Sequence, residues 1–129
     1  MWTIIYFHHP PYSMGSHNSD VETEMVNIRL YCTPLFEKYK VDMVMSGHSH
    51  NYERSWLMKG HTGMEGTFSK PTHVKDSSSA RYDGTANSCP YIKDTITNKG
   101  VVYTVCGTSG WGSGATQGAY PHEIGRAHV

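Results

Sequence analysis

Four of the nine histidines in this 129-residue chain stand in two short groups whose spacing suits metal chelation. His8 and His9 end the apolar run Trp2 to Phe7 and precede Pro10-Pro11-Tyr12. His48 and His50 lie in Gly47-His48-Ser49-His50-Asn51-Tyr52-Glu53-Arg54, directly after the apolar run Val41 to Met45. In an extended segment residues two apart share a face, so His48 and His50 can approach a common centre. Neutral imidazole is the commonest protein metal ligand, with zinc to nitrogen distances of roughly 2.0 to 2.1 Å, and a glycine before His48 permits a tight bend. A single His-x-His is as often an ordinary loop feature as a site, so the elements that carry the two groups decide the reading.

Both apolar runs read as strands, and the segment between them reads as helical. Ser19 and Glu22 have the Ser-x-x-Glu spacing of a capping box, which predicts a helix starting at Ser19. Val21, Met25, Ile28, Cys32, Leu35 and Tyr39 recur at alternating steps of four and three, the spacing of one buried helix face. Pro34 interrupts that stripe, and Thr33-Pro34 reads as a new N-cap and first helical position, giving two consecutive helices or one kinked helix. Strand, helix, strand is a βαβ unit with parallel strands and a right-handed crossover, so the predicted class is α/β. Ligands of open α/β sheets bind beyond the carboxyl ends of the strands, where His8, His9, His48 and His50 all fall.

Phe7-His8-His9-Pro10-Pro11-Tyr12, Lys38-Tyr39-Lys40-Val41-Asp42 and Gly47-His48-Ser49-His50-Asn51-Tyr52-Glu53-Arg54 together resemble the C-terminal half of the catalytic domain of a purple acid phosphatase, within the calcineurin-like metallophosphoesterases. The resemblance is strong from Trp2 to about Leu57, weaker from Val101 to Gly110, and silent elsewhere. It implies an α/β/β/α sandwich, of which residues 1–122 would form a C-terminal part. It implies that His8 and His48 bind the divalent metal, that His50 binds the neighbouring ferric or divalent ion, and that His9 supports these ligands; Tyr52, Glu53 and Arg54 then read as a supporting shell that orients the histidines. His17 occupies the place where the family has a histidine that contacts the phosphate or protonates the leaving group. Asn18 follows where a second histidine is common in plant members, a departure from the pattern. The implied activity is two-metal hydrolysis of a phosphate ester, with iron paired with zinc, manganese or iron, in an enzyme located outside the cytoplasm.

The family's remaining ligands belong to Asp-x-x-Tyr and Asn-His motifs upstream of its Pro-x-Tyr string, and neither motif occurs in these 129 residues. Asp20, Asp42, Asp76, Asp83 and Asp94 stand in a different order and context. The isolated chain is therefore expected to lack a complete dinuclear centre. Two other readings stay open: a non-catalytic truncated chain that binds at most one divalent metal, and a phosphodiesterase or nucleotidase branch of the same superfamily.

Eleven acidic and eleven basic residues leave a formal net charge of zero, which gives no basis for a nucleic-acid or anionic-membrane partner, and oligomeric state is not encoded. Cys32, Cys89 and Cys106 lack metal-type spacing. Residues 58–100 are rich in Gly, Ser, Thr, Asp and Lys without a period and read as a long irregular insertion, with His61 and His73 as minor candidates for substrate contacts. Val101 to Cys106 reads as a third, buried strand. The following Gly107 to Gly114 reads as a structural turn, since it matches neither a dinucleotide fingerprint nor a nucleophile elbow. Residues 123–129, Glu-Ile-Gly-Arg-Ala-His-Val, can be back-translated into sequencing-adapter bases and are expected to be an artefact tail.

Overall fold

The computed structural model describes residues 1–76, 78, 86, 89–94, 96 and 100–108, together with the backbone of 123–127. Its elements are β1 (Ile4–Phe7), α1 (Thr23–Asn27), a π-helical turn (Ile28–Cys32), α2 (Thr33–Lys38), β2 (Met43–Ser46), β3 (Tyr52–Ser55), β4 (Leu57–Met58), a 3₁₀ turn (Glu65–Thr67), α3 (Lys70–His73), β5 (Val74–Asp76), β6 (Val102–Cys106) and β7 (Glu123–Ala127). The class is α/β, as predicted.

Five strands form one sheet in the order β1-β2-β6-β3-β7, and β4 pairs with β5 separately. β1 and β2 run parallel with Ile4 opposite Met43 and Phe7 opposite Ser46, and β6 continues the parallel set beside β2. The predicted βαβ unit is therefore present. β3 and β7 are antiparallel additions. The backbone of Glu123–Ala127 hydrogen-bonds along β3 as the edge strand.

Alternation along the strands separates two faces. Val44 and Tyr103 join Tyr12, Val41, Met58 and Val101 in the core, with Ile5, Phe7 and Phe36 packed against it. Ile4, Tyr6 and Met45, on the opposite face, are exposed. Each fully buried Val or Met side chain contributes about 1.5–3 kcal/mol of transfer free energy.

The helical segment departs from its predicted start and its predicted face. α1 begins at Thr23, and Ser19 serves a different purpose: it is fully buried and its Oγ accepts from the Ser13 amide. Val21, Leu35 and Tyr39 of the expected stripe are exposed, while Met25, Arg29 and Thr33 are buried. Two physical causes account for this. Pro34 lacks an N–H and crowds the preceding turn, and the chain answers with a π-helical turn whose closing bond runs from the Thr33 amide to the Ile28 carbonyl. Arg29, only 2% exposed, turns inward because its guanidinium donates to the carbonyls of Pro11 and Ser19 and pairs with Asp20. An apolar stripe cannot reveal a buried cation that has such partners. The result is useful to the site, since Arg29 fastens the loop after β1 to the helix.

Of the glycine-rich segment, only Gly107 and Thr108 fall among the described residues, so the readings at Ser109 to Gly114 lie outside them, as does His128. Within the predicted insertion the described residues carry short elements, with β5 paired antiparallel to β4. No helix among the described residues is long and apolar enough to cross a membrane.

Candidate metal centre

The carboxyl ends of β1 and β2 are tied together by the Gly47 amide, which donates to the His8 carbonyl at 3.0 Å. That bond sets the two histidine groups side by side. His8 Nε2 and His48 Nδ1 lie 3.1 Å apart, and the His9 and His48 ring centroids are separated by 4.3 Å. Ligating atoms of His8, His9 and His48 all lie within 4.8 Å of one another.

A second group shares His48. His17 Nδ1 is 2.8 Å from Glu22 Oε1, and His48 Nε2 is 3.0 Å from Glu22 Oε2. The rings of His17 and His48 are tilted by 37° to each other with centroids 3.7 Å apart. Glu22 was legible in the sequence only as a capping-box residue. The extra signal was its position five residues after His17 in a turn, which cannot be recognised without knowing where His48 arrives.

His50 does not join either group among the described residues, and the reason is local. The segment Gly47 to Asn51 is not extended: the Ser49 amide bonds the Gly47 carbonyl at 2.7 Å, the Asn51 amide bonds the Ser49 carbonyl at 2.8 Å, and His48 has φ +62°. Successive tight turns of this kind cancel the two-residue alternation expected of His-x-His. His50 instead has its ring centroid 6.3 Å from that of His17, and its amide donates to Ser16 Oγ.

Tyr52 and Arg54 are carried by β3 to the sheet face away from the histidines. They line a cavity of about 400 Å³ with Trp2, Ile4, Met43 and Tyr91, where the Arg54 guanidinium lies 5.8 Å from the Tyr91 ring. Glu53, between them, points the other way. It is 2% exposed, and its Oε1 accepts from the Met14 amide in the loop that carries His17. Ser49 Oγ accepts from the His17 amide, and a Cβ on Gly15 would overlap Asn51 and Ser49, so the two loops are in close contact.

The electrostatics favour cation binding. Burial raises the Glu22 carboxyl pKa, but hydrogen bonds from His48 and His17, the His17 charge and the Asn18 amide together lower it below the usual carboxylate value. For His48, burial lowers the pKa; Glu22 raises it, the charges of His17 and His9 oppose that, and the net direction is down. A neutral imidazole has a lone pair to offer, and a carboxylate beside it supplies negative charge. Four imidazoles and one carboxylate suit zinc, iron or manganese, and the donor chemistry fits the metals that the sequence resemblance implied.

Residues 1–52 match the family model of the calcineurin-like phosphoesterases. A purple acid phosphatase of Glycine max is 44% identical over 55 residues, covering 42% of this chain and 11% of that protein. The Fe(3+)-Zn(2+) purple acid phosphatase 12 of Arabidopsis thaliana is 43% identical over 54 residues, with 42% and 11% covered. An uncharacterized protein of Mycobacterium tuberculosis is 34% identical over 64 residues, covering 50% of this chain and 12% of its own length. The matched segments thus span 11–12% of the relatives' lengths. The family match over residues 1–52 contains both histidine groups, so the part of the chain that carries the candidate centre is similar to the calcineurin-like phosphoesterases and, among them, to purple acid phosphatases.

Proposed function

We propose that the chain supplies the histidine side of a metal-dependent phosphoester hydrolase of the acid phosphatase type, with a phosphate ester as substrate. The observation that carries this reading is the 3.1 Å approach of His8 Nε2 to His48 Nδ1 at the ends of adjacent parallel strands. His8 and His48 would hold one divalent ion, and His50 would reach a second after its turn adjusts. Iron with zinc, manganese or iron would fill the pair, which supplies charge neutralisation for phosphate oxygens and a low-pKa water when bound. His9 packs against His48 and restricts its ring. His17, held over His48 by Glu22, would donate a proton to the leaving oxygen. Tyr52 and Arg54 would contribute only indirectly, through β3, which follows the turn that carries His48 and His50. A location outside the cytoplasm is part of the same proposal.

A second reading is favoured by the carboxylate inventory. Among the described residues, Glu22 is the sole acid in the clustered histidine groups, whereas a two-metal centre calls for a bridging carboxylate as well. A chain that binds one ion without turnover satisfies that observation.

Calorimetric titration with zinc, followed by an assay with a generic phosphomonoester, tests both. Stoichiometric zinc binding that is lost in His48→Ala supports the metal site, and metal-dependent turnover selects the hydrolase. Zinc binding without turnover selects the second reading. Equal zinc affinity in the wild type and His48→Ala refutes both.

A further inference from the structure

We infer that Glu22 is a positioning residue that fixes which nitrogen of His48 faces the metal and locks His17 against it. The inference rests on His48 being a ligand, as proposed above. An ionised carboxylate can only accept hydrogen bonds, so His48 Nε2, 3.0 Å from Glu22 Oε2, must carry the proton. A neutral imidazole has one N–H, which leaves the Nδ1 lone pair directed at His8 Nε2, 3.1 Å away. In the metal-free chain that makes His8 Nε2–H the donor across this gap, and for His8 Nε2 to hold a cation its proton would sit on Nδ1 instead. Carboxylate, histidine and metal in this order form an arrangement that orients ligands and raises their basicity.

The same carboxylate serves His17. Its Oε1 accepts from His17 Nδ1 at 2.8 Å, so Nε2 is the His17 nitrogen left to exchange a proton with a substrate. Glu22 is itself fixed by the turn it belongs to. The Asn18 amide donates to Oε1 at 3.2 Å, and the Glu22 amide donates to the Asn18 carbonyl at 3.2 Å. One acid therefore sets the tautomers of both a ligand and its neighbouring proton donor. The approach of their rings to 3.7 Å between centroids follows from sharing it.

Long-range proton–nitrogen NMR correlations on the full metal-free chain at neutral pH read these tautomers directly. The expected result is Nε2–H for His48 and Nδ1–H for His17, with His48 Nδ1 the nitrogen that shifts when zinc is added. Glu22→Ala should mix the His48 tautomers and weaken zinc binding about 10- to 100-fold. Glu22→Asp should restore the Nε2–H form and part of the affinity, and it keeps the test decisive if Glu22→Ala fails to fold. An Nδ1–H His48 in the wild type, zinc ligation through His48 Nε2, or unchanged tautomers and affinity in Glu22→Ala would overturn the assignment. A wild type that binds no zinc would instead overturn the metal reading of the site, whereas the tautomers judge Glu22 without any metal present.

Discussion

The molecule holds two histidine clusters, and they are built to opposite ends. In the first, the ring nitrogens of His8, His17 and His48 face one another and Glu22. In the second, His61 and His73 pack with ring centroids 5.0 Å apart, and both rings lie against Phe68. There the bonded nitrogens are spent on the local chain, and His61 Nδ1 is buried with no hydrogen-bond partner among the described residues. His61 Nε2 is 3.3 Å from the Met64 carbonyl and 3.2 Å from Thr67 Oγ1, and His73 Nδ1 accepts from the Ser69 amide. His61 is 3% exposed, and the Tyr12 hydroxyl donates to its carbonyl. The second cluster is a packed satellite of the core that pins the loop after β1, whereas the first leaves its donors pointed at a shared centre. What separates a ligand from a packing residue is where its nitrogens point; the residue type is common to both.

Breaking the first cluster should therefore abolish metal binding, and breaking the second should not. His48→Ala is expected to cut zinc affinity by more than about 100-fold, beyond the range for supporting residues. His61→Phe should leave it within roughly threefold, a change of less than about 0.7 kcal/mol. Calorimetry on both variants checks the pair, and similar losses in both would erase the distinction.

Acid should act on the second cluster through stability. Burial is the main cause that lowers the His61 pKa to about 4 from an ordinary 6.5; the Met64 carbonyl and Asp20 oppose it, and His73 and Arg29 reinforce it. The unfolded chain binds a proton between these values and the folded chain does not. The stabilisation is complete above about pH 6.5 and is lost as pH falls toward 4, by up to about 3 kcal/mol at 1.4 kcal/mol per unit. Urea midpoints measured across this range should fall in the wild type and much less in His61→Phe.

Two glycines sharpen the comparison further. A Cβ on Gly107 would overlap the Ser49 carbonyl oxygen inside the histidine turn, so Gly107→Ala should cost about 2 kcal/mol and weaken zinc binding. Gly60 sits at φ +80° with open space around it, so Gly60→Ala beside the second cluster should cost about 1 kcal/mol through backbone strain alone. Thermal unfolding with and without zinc separates the two effects.

Much of this fold was legible before any coordinates. The two apolar runs, the intervening helix and the order of the histidine groups were enough to place β1 beside β2 in parallel and to bring His8 near His48. The details that failed are those that local periodicity cannot carry. Arg29 is inward because distant carbonyls and Asp20 receive it, and the stripe of Val21, Leu35 and Tyr39 gave no warning. His48 and His50 do not share a face because the backbone curls between them. Glu22 became part of the site only through a contact 26 residues away in sequence. His61 and His73, which looked like loop residues, are held by aromatic neighbours whose proximity is tertiary.

X-ray absorption at the zinc edge of the loaded chain tests the central claim most directly. The account predicts an inner shell with at least two imidazole nitrogens at about 2.0–2.1 Å, reduced in His48→Ala and unchanged in His61→Phe. A shell made only of light oxygen ligands, or one that survives His48→Ala intact, would contradict it.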